Sequence, residues 1–186
     1  MKTRKMNHNL YEDIRSVINN SVLYKFSGGK PTKDIVMKYV KEAGEMLQKE
    51  KVIKSKDPTS VLLKAQAVAV AVDKKDDNVQ SVGAILRTKP EEVERIFKKA
   101  KSEDLKDDFH FELNFLVTNE DHREKGLATR IIQNLLTMKK PETTIFTIVS
   151  DERLGNRLIN KHRFQQIGEF QEKGAKKYLL GLVEEG

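Results

Sequence analysis

Apolar positions along the chain recur with two periods. Leu10, Ile14, Val17 and Ile18 follow one another at one-turn spacing and predict a helix from Leu10 to Ser21. Ile35, Tyr39, Val40, Ala43 and Leu47 predict a second, longer helix over Pro31 to Glu50, after the breakers Gly28, Gly29 and Pro31 and with Thr32 as its cap. From Val61 to Val72 the chain is an almost unbroken run of Val, Ala and Leu. The polar cluster Asp73 to Asn78 interrupts it, and apolar residues resume from Val79 to Leu86, which reads as a hairpin of two buried strands. Val93, Ile96, Phe97 and Ala100 share one face of a short amphipathic helix, Pro90 to Ala100. Beyond it the pattern predicts a strand over Phe109 to Val117, a helix through Leu127, Ile131 and Leu135 to about Met138, and a strand over Thr143 to Val149. A helix from Glu152 to Lys161 and two strands, near Gln165 to Phe170 and Lys177 to Val183, complete the pattern.

With the Pro90 helix set aside as an insertion, the order is α, α, β, β, β, α, β, α, β, β. Helices and strands intermixed around one sheet predict an α/β or α+β layered domain. The length of 186 residues suits a single domain spanning 1–186. No apolar run reaches membrane-spanning length and the leading residues Met1 to Asn9 are polar, so the expectation is a soluble, cytoplasmic protein without membrane contact. The chain has no cysteine, and His8, His110, His122 and His162 are scattered without ligand spacing, so no metal is expected. The net charge of +7 suits an anionic cofactor, an acidic protein patch or nucleic acid. Its interspersion with acids, as in Lys98, Lys99, Lys101, Glu103 and Asp104, describes a solvated face and argues against nucleic acid.

The turn between the Phe109 strand and the Leu127 helix carries the clearest chemistry. A helix begins beside Gly126, and its first amide hydrogens lack partners within the helix while its dipole places about half a positive charge there. Gly126 lets an anion approach the backbone, the small Ala128 keeps the first turn open, and Arg123, Lys125 and Arg130 add positive field. Neither a P-loop ending in Gly-Lys-Ser/Thr nor three glycines spaced for a dinucleotide are present near this turn.

The spacing Arg123-x-x-Gly126-x-Ala128 resembles the Arg/Gln-x-x-Gly-x-Gly/Ala signature of the Gcn5-related N-acetyltransferase (GNAT) family, which binds acetyl-CoA pyrophosphate there. The resemblance covers roughly residues 60–184. It implies a mixed, mostly antiparallel sheet of six or seven strands flanked by helices, a helical substrate-side segment over 1–60, a sheet and acetyl-CoA-binding core over 61–184, and an insertion over 87–108 where the family commonly has a short turn. The family's first strand has no clear counterpart in the polar Met1 to His8. The resemblance assigns Arg123, Glu124, Lys125, Gly126, Leu127, Ala128 and Thr129 to the pyrophosphate, mainly through backbone amides, and the backbone of Val117 and Thr118 to the pantetheine arm. Glu152 to Phe164 is similar to the family's helix beside that arm, with Asn156 facing the cofactor or merely solvent. The family often has a tyrosine at the place of Ile159 and a glycine at that of Arg163.

Acetyl transfer needs a neutral amine near the thioester, a proton acceptor and donors for the developing oxyanion. On the Phe109 strand, His110, Glu112 and Asn114 alternate with apolar residues and share a face. This describes either a strand with one wet face or a site in which Glu112 acts as base, matching by position a strand carboxylate of several relatives, with burial raising its pKa. His110 is a second candidate, and Tyr178 either replaces the missing tyrosine or belongs to the core. The expected reaction transfers acetyl from acetyl-CoA to a primary amine, on a protein or a small molecule, by direct attack in a ternary complex. A catalytically inactive CoA-sensing or protein-binding module is the alternative, and monomer and homodimer are both open.

Overall fold

The computed structural model describes residues 33–72, 77–124, 126–139 and 143–182. The expected helix from Leu10 to Ser21, the Thr32 cap, Lys125 and the last strand's end at Val183 lie outside them. Helix α1 spans Lys33–Lys49 and buries Val36, Tyr39, Val40, Ala43 and Leu47, nearly the stripe its period predicts. The Val/Ala/Leu run that follows is not one strand. Asp57 accepts the Ser60 amide at 3.0 Å and Pro58 occupies the first helical turn, so Pro58–Leu63 closes as helix α2 and strand β1 is confined to Ala67–Val72. Strand β2 follows over Val79–Arg87, helix α3 over Pro90–Lys99 and a 3-10 helix over Glu103–Asp108. Strand β3 is Phe111–Thr118, which leaves Phe109 and His110 ahead of it. A 3-10 turn, Glu120–His122, separates β3 from helix α4, Leu127–Met138. Strand β4 (Ile145–Val149), helix α5 (Glu152–His162) and strands β5 (Phe164–Glu172) and β6 (Ala175–Leu182) complete the described chain.

Six strands form one sheet in the order β1-β2-β3-β4-β6-β5. The β1–β2, β4–β6 and β5–β6 pairs are antiparallel, and β3 runs parallel to β4 with Phe111 beside Ile145 and Glu112 beside Phe146. The sheet is therefore mixed and mostly antiparallel, with helices between its strands. By their contacts the residues divide into two compact units, Met1–Ile85 with Phe115–Lys139, and Leu86–Asn114 with Lys140–Gly186.

In the first unit, α1 is tied to the entry of β2. Tyr39 donates to Asp77 Oδ1 at 2.6 Å, Lys38 reaches Asp77 Oδ2 at 3.0 Å, and the Glu42 carboxylate accepts the Val79 amide at 3.0 Å. Helix α4 buries Ile131, Ile132 and Leu135. A Cβ at Gly83 would stand 2.6 Å from Ile131 Cγ2, so the glycine of β2 is what lets α4 lie this close to the sheet.

In the second unit, α3 turns Val93, Ile96 and Phe97 into a cluster with Phe109, Phe146 and Leu179. The Phe97 ring meets Phe146 edge-on at 5.5 Å and Phe109 at 5.5 Å, geometries in which the positive ring edge faces a negative ring face or rings lie offset. Truncating a buried phenylalanine such as Phe97 typically costs about 3–5 kcal/mol. Helix α5 starts at Asp151, whose carboxylate accepts the Leu154 amide at 2.9 Å, and ends at Arg163 with φ 61°. That left-handed cap is the position where the family resemblance expects glycine, and the chain fills it with an arginine.

Candidate active site

The turn after β3 is held by the polar end of β2. Asn119 donates its amide to Gln80 O at 2.8 Å and its side-chain nitrogen to Gln80 Oε1 at 3.0 Å. The buried Ser81 hydroxyl bonds Val117 O at 2.8 Å and lies 2.8 Å from Thr118 Oγ1. From this anchor the chain makes the 3-10 turn and reaches Gly126 as the N-cap of α4, with φ 76° and ψ 8°. A Cβ there would meet nothing within 4 Å, so space does not demand the glycine; the left-handed backbone does. Glu124 shares the left-handed region at φ 65°.

The first α4 bond runs from Arg130 N to Gly126 O at 3.2 Å. The amides of Leu127, Ala128 and Thr129 thus precede the first turn's acceptors, and Gly126 brings no side chain to cap them. These three residues are partly exposed, at the positive end of the helix dipole. Arg123 is exposed, and its guanidinium is shared: Nε lies 3.4 Å from Thr118 O, with Glu120 at 3.8 Å and Glu50 at 3.9 Å. Two carboxylates beside it reduce what that cation contributes, so the backbone amides are the principal anion donors of the turn.

Val117 and Thr118 close β3, and their register departs from simple alternation. The bonds Thr88 N to His110 O and Asn119 N to Gln80 O bracket eight steps of β2, from Gln80 to Thr88, and nine of β3, from His110 to Asn119. The strand therefore carries one extra residue, a bulge, and Phe115 at φ 58° marks it.

Glu112 lies before the bulge, in the second unit. It is partly buried beside Phe146, and burial raises its pKa to about 7; a hydrogen bond from Asn114 opposes that rise, and the charge of Glu92 on α3 adds to it. Glu92 was not singled out by sequence. An acid in a first helical turn reads as a dipole partner, and only the packing of α3 gives it another neighbour.

The other candidates lie in different settings. His110 precedes β3, exposed, with its carbonyl accepting the Thr88 amide at 3.0 Å. It lines an open cavity of about 390 Å³ with Arg87, Glu91, Glu94, Lys106 and Phe109, while Glu112 does not line it. Tyr178 sits on β6 between Val149 and Glu169, with the Lys176 ammonium 5.0 Å from its ring centre, a cation–π contact on an exposed flank. Asn156 and Asn160 are both exposed on α5, and Ile159 is partly buried between them. Among the described residues no helix is long and apolar enough to cross a membrane, and no group of three or more His, Asp or Glu could hold a metal ion.

No family model matches the chain, and no curated protein matches its sequence. Solved structures do match. A chain from Bordetella pertussis assigned to the GNAT acetyltransferases shares 16% identity over 79% of this chain and 91% of its own, with a TM-score of 0.55. NAA60 of Arabidopsis thaliana, solved with a bisubstrate analogue, covers 77% of this chain and 91% of its own at 12% identity and a TM-score of 0.54. A Corynebacterium glutamicum structure described as histone acetyltransferase HPA2 and related acetyltransferase matches at 18% identity over 84% and 94%, with a TM-score of 0.51. The fold is that of the Gcn5-related N-acetyltransferases. Within this acetyltransferase fold, the described chain supplies the mixed six-stranded sheet, and the Gly126 turn follows β3 and the 3-10 turn after it.

Proposed function

We propose that the chain is an N-acetyltransferase that moves acetyl from acetyl-CoA to a primary amine by direct attack in a ternary complex. The observation that carries this reading is the Gly126 turn: a left-handed glycine with no capping side chain, ahead of three unpaired helix amides, in a chain with the acetyltransferase fold. The group fits the residues present. A diphosphate matches the open amides of Leu127, Ala128 and Thr129, with Arg123 as a supporting cation.

Acetyl-CoA, when bound, supplies an activated acyl group: the amine nitrogen bonds to its carbonyl carbon as the carbon–sulfur bond breaks. The chain's own part is to hold the diphosphate through α4, to bond the cofactor arm through the backbone of Val117 and Thr118, and to receive the amine proton on Glu112. A carboxylate whose pKa is about 7 suits that last role, because near neutrality it is both substantially ionised and a competent proton acceptor. His110 and Tyr178 stand behind Glu112 in this assignment, since His110 is exposed ahead of the strand and the Tyr178 ring faces Lys176.

The acceptor is an amine on a protein or a small molecule. A second reading, a CoA-binding module without catalysis, is favoured by Ile159 at the tyrosine position. An amine screen that follows thiol release decides between them. Turnover with at least one amine, abolished in Glu112→Gln, supports the enzyme; tight acetyl-CoA binding with no turnover on peptide, polyamine and aminoglycoside amines supports the module.

A further inference from the structure

The segment between β2 and β3 is built as a cover. Helix α3 places Phe97 edge-on against Phe146 at 5.5 Å, and Phe146 is the register neighbour of Glu112 across the β3–β4 pair. Side chains of register partners leave a sheet on the same side, so Glu112 emerges on the face that α3 covers. The far end of the segment is latched to β5. Ser102, 4% exposed, donates to Ile167 O at 2.6 Å. Next to that acceptor, a Cβ at Gly168 would stand 2.6 Å from Ser102 Oγ and 2.7 Å from Ala100 O, so glycine is what allows the two backbones to meet. The outer flank is tied as well: Lys99 bonds Glu172 at 2.8 Å, and Arg95 lies between Glu172 and Glu92.

We propose that the 87–108 segment is the device that takes Glu112 out of water, with Ser102 as its latch and Glu92 as its charge, both acting as positioning residues for the proton acceptor. The proposal rests on the reading of Glu112 as the base. From α3, Glu92 faces Glu112 with Arg95 bonded to it; β3 contributes Asn114 and, two residues back, His110; β4 contributes the apolar Phe146 and Ile148. Burial is the leading cause of the raised Glu112 pKa and the Glu92 charge acts in the same direction, which is what a cover bearing one facing acid would do.

The test is a pH titration of the Glu112 carboxyl by isotope-edited NMR in the whole protein, run on wild type, Ser102→Ala and Glu92→Gln, beside the pH profile of turnover. Ser102→Ala removes the donor to Ile167 O with little change in volume. The wild-type midpoint is expected near 7. Loosening the latch is expected to lower it by about 0.5–1 unit, toward the ordinary carboxylate range, and Glu92→Gln by about 0.3 unit, with the acidic limb of the rate profile moving equally. Glu92 is 44% exposed, so its variant keeps the test alive if Ser102→Ala does not fold. Midpoints unchanged in the folded variants overturn the cover. A midpoint that moves as expected while Glu112→Gln retains full turnover upholds the cover and removes Glu112 from the chemistry.

Discussion

The Gly126 turn and the Glu112 face handle charge by opposite means. At the turn the chain leaves backbone amides uncapped and accessible, and the one cation beside them, Arg123, is already shared by Glu50 and Glu120. At the strand face it surrounds a carboxylate with Phe146 and a helix packed through Phe97, and burial sets the charge state. The first region rests on backbone conformation. The second works through packing, so residues far along the chain control it.

Glu112→Gln should break this contrast most forcefully. It removes the proposed proton acceptor, so kcat is expected to fall about 10²–10⁴-fold while acetyl-CoA affinity stays within about twofold. The same substitution changes stability in a pH-dependent way, because the Glu112 pKa is raised from 4.5 to about 7 in the folded protein. The native state then holds more protons than the unfolded chain between these values, so wild-type stability declines as pH rises from below 4.5 to above 7. Glutamine carries no such cost. The variant should exceed wild type by up to about 3 kcal/mol at pH 8 and match it at pH 4, measured by urea unfolding. A smaller effect is expected of Gly126→Asp. Aspartate tolerates the left-handed region better than most residues and caps helices well, so the protein should fold, but its carboxylate takes the amides and repels a diphosphate. Acetyl-CoA affinity is expected to drop about tenfold or more. Smallest of all is Arg123→Ala, about twofold to fivefold in affinity and declining with salt, because an exposed cation already paired twice has little left to give.

What sequence could reveal follows the same division. The Gly126 turn was legible because its signal is local: a strand period, a basic stretch, a glycine and a helical period stand in one short window. The strand before it, the helix after it and most of the sheet are legible for the same reason. Helix α2 was not, since Val61, Leu62 and Leu63 continue into the apolar β1 run; the signal that could have separated them is Asp57-Pro58, a cap followed by a first-turn proline. The bulge at Phe115 has no sequence mark, because a phenylalanine at φ 58° is imposed by the pairing of β3 with its neighbours. Glu112 could be named as a candidate from alternation together with the family resemblance, but its environment could not, because α3, Ser102 and Gly168 come together only in the folded second unit.

The most direct measurement is calorimetric titration of acetyl-CoA, with ATP as control, into wild type, Gly126→Asp and Glu112→Gln. The account predicts micromolar-range binding to wild type without ATP binding, an unchanged affinity for Glu112→Gln and a clear loss for Gly126→Asp. Equal affinity in all three proteins, or no binding to folded wild type, would contradict the assignment of the Gly126 turn as the acetyl-CoA cradle.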